Sequence, residues 1–154
     1  MKKLLCIFAL IFCLCAVGCG EQDFVVGRWQ VSQYSYIDQT AEYTYSVEQV
    51  SGFVEKYITN QTQPQNEQEQ IEYIIAMLHS NTEGFVYDIK SNNKVEVSKD
   101  EQKGMEYDWQ RVETTLNLKY EDMEMQWYID ETAQHCYYSN TYGEGTISVY
   151  LTKI

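Results

Sequence analysis

Few side chains in this sequence stand where chemistry could be done. There are two histidines, His79 and His135, and neither has a partner at a motif spacing. No His-Glu-x-x-His pair, Gly-x-Ser-x-Gly turn, glycine-rich phosphate loop or acidic calcium loop occurs. Glu106 and Asp108 alternate within a predicted strand and so point the same way, which admits a paired-carboxylate site. Their parity is that of the polar positions around them, and a solvated strand face is the simpler reading. Of five cysteines, four lie within residues 1–19, which leaves Cys136 alone in the rest of the chain. A single thiol makes no internal disulfide, and no further cysteines are there to build a zinc site. Cys136 reads as a small buried apolar residue. The sequence therefore points away from an enzyme, a resident metal or a cofactor.

The remaining chemistry is at the N-terminus. Lys2 and Lys3 precede an apolar run over residues 4–17. A helix needs roughly 17–25 residues to span a bilayer, so this run is too short. It suits the apolar region of a signal peptide. It ends in Ala16-Val17-Gly18-Cys19. Small residues before a cysteine resemble the bacterial lipobox, with Ala16 standing where leucine is commoner. The resemblance implies that the chain is cleaved before Cys19 and that Cys19 carries the acyl chains. Each buried methylene contributes about 0.8 kcal/mol, so several chains together anchor stably. The alternatives are an ordinary signal peptide cut near Gly18 and a buried helix. The acidic stretch Gly20-Glu21-Gln22-Asp23 is similar to the surface-export signal of Bacteroidetes lipoproteins. The expected layout is a signal peptide over 1–18, a lipidated cysteine and acidic tether over 19–23, and one domain over 24–154. The expected location is the outer membrane of a Gram-negative bacterium, periplasmic or surface-exposed, with the bilayer as partner through Cys19.

From Cys19 onward 136 residues remain, enough for one core. They carry 9 basic and 23 acidic residues, a net charge of −14. Phosphate binding needs clustered Lys and Arg, so a nucleic-acid partner is excluded. The charge reads as a solubility device, and the domain as a monomer.

Three blocks follow the tether. Residues 25–36 read as a strand and residues 46–81 as helical. There Val47, Val50, Val54, Tyr57 and Ile58, then Ile71, Ile74, Ile75 and Leu78, recur at helical spacing. A polar linker with the only proline, Pro64, separates the two helices, and Asn66 is placed to cap the second. His79 closes that helix, where the negative helix end favours a cation. Residues 84–154 alternate with period two between apolar and polar positions, as in an antiparallel sheet over a core. With residues 134–140 as a weaker strand, the count is eight in simple up-and-down order. Eight strands close into a barrel that side chains fill or that holds one small ligand. An open α+β domain, with the helices on one face of a curved sheet, is the alternative.

Gly27-Arg28-Trp29 in the first strand looks like the Gly-x-Trp motif that opens lipocalins, and the end of the chain is similar to the last strand of small lipocalin-like lipoproteins of Bacteroidetes. The resemblance rests on the two ends and the strand rhythm between them. It implies a mainly β fold: an eight-stranded antiparallel up-and-down barrel with a helix pair (about 46–81) between strands 1 and 2. It implies that Trp29 plugs one end, that Gly27 lets the backbone approach, and that Lys153 lies over the tryptophan. Lys153 departs from the more usual arginine. The helix pair stands where fatty-acid-binding proteins place a portal, and it reads either as a lid or as a plug.

The expected function is binding of a small apolar or amphipathic ligand. Phe85, Tyr87, Tyr107, Trp109, Met123, Met125 and Trp127 are the candidate lining, within an inward set that also holds Trp29 and Met105, since aromatic and methionine walls suit such a ligand. The alternative is a filled barrel without a cavity, working as a structural or interaction protein through its surface.

Overall fold

The computed structural model describes residues 23–154; the signal segment and Cys19 lie outside the described residues. The strands are β1 (Gly27–Ile37), β2 (Glu42–Ser46), β3 (Phe85–Ile89), β4 (Lys94–Lys99), β5 (Gln102–Val112), β6 (Thr115–Tyr120), β7 (Met123–Asp130), β8 (His135–Tyr142) and β9 (Gly145–Lys153). Between β2 and β3 lie α1 (Val47–Phe53, continued as a π-helical turn over Val54–Thr59) and α2 (Glu67–Thr82).

Antiparallel hairpins join β3 to β9 in sequence order, and β1 pairs with both β3 and β9. Eight strands thereby close into an up-and-down barrel with the helix pair between its first and second strands, β1 and β3. The ninth strand, β2, folds back on the upper half of β1, where β3 no longer reaches. The first strand runs two residues later than the alternation implies, because Asp23 caps a tight turn that holds Val25 and Val26.

All turns sort to two ends. The base holds residues 23–26, the turns at 90–93, 113–114 and 131–134, and Ile154. The mouth holds the turns at 38–41, 100–101, 121–122 and 143–144. A bulge between Val31 and Gln33 shifts the register of β1 against β9. The extra residue changes the parity, so Trp29 below it and Tyr34 and Tyr36 above it all face inward.

The interior has two cores. The lower one gathers Val25, Trp29, Trp109, Leu116, Leu118, Trp127, Cys136 and Leu151 within the barrel. In the upper one, Val50 of α1 and Ile71 and Ile75 of α2 pack on Tyr34, Tyr36, Tyr45, Ile147 and Val149. The helices form for local reasons too. Ser46 and Gln49 make a reciprocal capping box, and the Asn66 side chain accepts from the Glu69 amide at 2.9 Å. Lys56 pairs with Glu69 at 3.0 Å and Tyr57 donates to Glu72 at 2.8 Å, which staples α1 to α2.

Candidate functional site

The base is sealed. Trp29 is fully buried, and its indole donates to the Val25 carbonyl at 2.7 Å. The Lys153 ammonium lies 5.5 Å from the Trp29 ring centroid and 5.0 Å from that of Phe24. Gly27 has φ +140°, and a side chain there would press on Lys153. Arg111 closes the rim of the base by pairing with Asp23 and, at 2.6 Å, with Glu131.

Above this plug, Trp109 donates to the Lys90 carbonyl at 2.9 Å and Trp127 stacks on Tyr138. The Trp127 indole N–H is buried with no partner among the described residues. Tyr87 packs edge-on against Trp127 at 5.0 Å. Burial raises the phenols of Tyr34 and Tyr138 to about 12 and pushes Tyr87 and Tyr107 upward as well. The mid-barrel tyrosines therefore stay protonated and act as neutral hydrogen-bonding groups. Burial also lifts the Cys136 thiol to about 12, which keeps it from acting as a nucleophile.

The candidate lining residues divide by height. Trp109 and Trp127 belong to the buried floor, Tyr87 and Tyr107 are nearly buried above it, and Phe85 and Met125 are half-buried. Met105 and Met123 share the inward parity of Tyr107 and Met125, yet they are 44% and 56% exposed. They lie at the lip of β5 and β7. Tyr107 reaches the Met105 sulfur at 3.8 Å, Tyr107 and Tyr120 meet at 5.6 Å, and Tyr120 pairs across strands with Met123. The helices cover the β1–β9 side of the mouth and leave this lip open.

The other candidates fall outside the barrel. Glu106 and Asp108 lie on the outer face, bridged by Lys94 at 3.6 and 2.7 Å. A polar recess of about 860 Å³ on the same outer face includes Asp108, Asn117, Lys119 and Gln126. Farther round, Tyr128, Tyr137 and Tyr150 form a stacked row that His135 joins edge-on.

His79 departs from its sequence reading. It is 3% exposed, its Nδ1 lies 2.9 Å from the Tyr34 hydroxyl, and burial lowers its pKa. Desolvation outweighs the attraction of Glu83, so burial favours the neutral ring at a helix end that by itself favours a cation. The tyrosine–histidine pair escaped the sequence reading because its members are 45 residues apart. No family model matches the chain, and no curated protein or solved structure matches it either.

Proposed function

We propose that this chain is an extracytoplasmic lipoprotein, anchored through Cys19, whose lipocalin-like barrel takes an amphipathic ligand at its mouth. The observation that carries the reading is the pair Met105 and Met123, inward in parity but exposed, with Tyr107 and Tyr120 between them. An uncovered methionine and aromatic surface next to a closed core is a binding lip, because methionine adapts its shape to an apolar guest. The lower barrel is filled, so the ligand sits shallowly, with its apolar part against the lip.

Methyl NMR of the domain labelled at methionine tests this. Removal of Met1 leaves Met77, Met105, Met123 and Met125 as probes. A twelve-carbon amphiphile should shift Met105, Met123 and Met125 and leave Met77, on α2, unmoved. Shifts at Met77 alone, or at none, reject the mouth as a site.

A second reading has its own observation. The outer row of Tyr128, Tyr137 and Tyr150 suits contact with another protein, with the barrel as a filled scaffold. Tyr137→Ser and Tyr150→Ser would then abolish partner capture and leave amphiphile shifts untouched.

A further inference from the structure

We infer that the ligand of the mouth is a cationic amphiphile: an apolar chain against the methionine lip and an ammonium or guanidinium head on the rim above it. The inference rests on the binding reading and names the chemistry of its ligand.

Charge complementarity at the mouth selects this head group. Every turn at the mouth is acidic: Asp38, Asp100 with Glu101, Glu121 with Asp122, and Glu144. Asp100, Glu101, Glu121, Asp122 and Glu144 are exposed and have no ion-pair partner among the described residues. Of the basic residues that flank these turns, Lys103 and Lys119 are already paired, with Glu96 and Glu124. Lys90, Lys94, Lys103 and Lys119 pair with carboxylates on the outer sheet face, Arg111 with Asp23 and Glu131 at the base, and Lys153 covers Trp29. Lys99, beside Asp100, lies over the Phe85 ring at 5.6 Å.

These acids flank the apolar lip directly. Met123 follows the turn at 121–122, and Met105 lies in the strand that leaves the turn at 100–101. A head group held by the rim thus places its chain on Met105, Tyr107, Tyr120 and Met123. A fatty acid has the wrong head for this rim, since its carboxylate would face like charges.

The test compares two probes of equal chain length, dodecyltrimethylammonium and dodecanoate, both below micelle formation, by methionine methyl NMR and calorimetry. At low salt the cation should bind about tenfold tighter, the low end of what a focused surface field gives. The preference should shrink at high ionic strength. A variant with Asp100→Asn, Glu101→Gly, Glu121→Gly and Asp122→Asn removes four rim charges. Asp100, Glu101 and Glu121 have positive φ, so Asn and Gly suit those turns and the barrel should stay folded. In that variant the two probes should bind alike. Equal or tighter binding of dodecanoate to the native domain overturns the cationic ligand and leaves the mouth standing. A preference that survives in the variant overturns the role of the rim. No methyl shift with either probe removes both readings.

Discussion

Trp29 and Lys153 are cross-strand partners, in register where the first and last strands of the barrel meet. Closure of the sheet and sealing of the base are one event, because the pairing that joins the first strand to the last also lays the ammonium over the ring. Trp29→Ala should cost about 3–5 kcal/mol, the usual range for emptying a buried aromatic site. Lys153→Met should cost no more than about 1 kcal/mol, because its stem still packs. Urea denaturation midpoints of the two variants measure the difference. Equal midpoint shifts would show that the plug is not Trp29.

Gly145 is buried at the top of β9 against the ring of Tyr36. A Cβ there would overlap that ring, so Gly145→Ala should destabilise by about 1–3 kcal/mol. Tyr36→Leu in the same chain should recover part of the loss. Thermal melts of the single and double variants decide it. Additive losses would mean that the two residues do not compete for one space.

His79 links stability to pH. Its folded pKa lies below the ordinary value of 6.5, because burial disfavours the imidazolium. The neutral ring is the folded form, so its contribution is complete above about pH 6.5 and falls as pH drops from there toward the folded pKa. His79→Phe should flatten stability across that range. Chemical denaturation between pH 7 and pH 5 checks this, and an unchanged slope would place the pH dependence on other groups.

Cys19→Ser should abolish incorporation of a metabolically supplied fatty acid. It should also leave the chain uncleaved or free of the membrane pellet. Full labelling of the variant would place the acylation site elsewhere.

The period-two rhythm of residues 84–154 was enough to read the hairpins, since each strand shows the core one face. The two helices and the Asn66 cap were legible in the same way. β2 was not. Its segment, Glu42-Tyr43-Thr44-Tyr45, carries no aliphatic residue, and its Tyr43 and Tyr45 stack in a row with Tyr36 of β1. The bulge at Ser32 was also hidden, and with it the inward turn of Tyr34 and Tyr36, because alternation read across a bulge assigns the wrong face. The sequence pattern supplied the direction of Met105 and Met123 but not their exposure. Direction follows from parity along a strand, whereas depth depends on where the helices stop covering the wall.

The salt link between Asp23 and Arg111 fixes where the tether leaves the barrel. Four residues of chain reach at most about 14 Å. With Cys19 acylated, the sealed base would rest close to the lipid surface and the acidic lip would point a barrel length away from it. Such a molecule faces outward like a cup on a saucer. Its cargo would arrive from the aqueous side or from another carrier, and the leaflet that holds the anchor would be the surface least able to fill it.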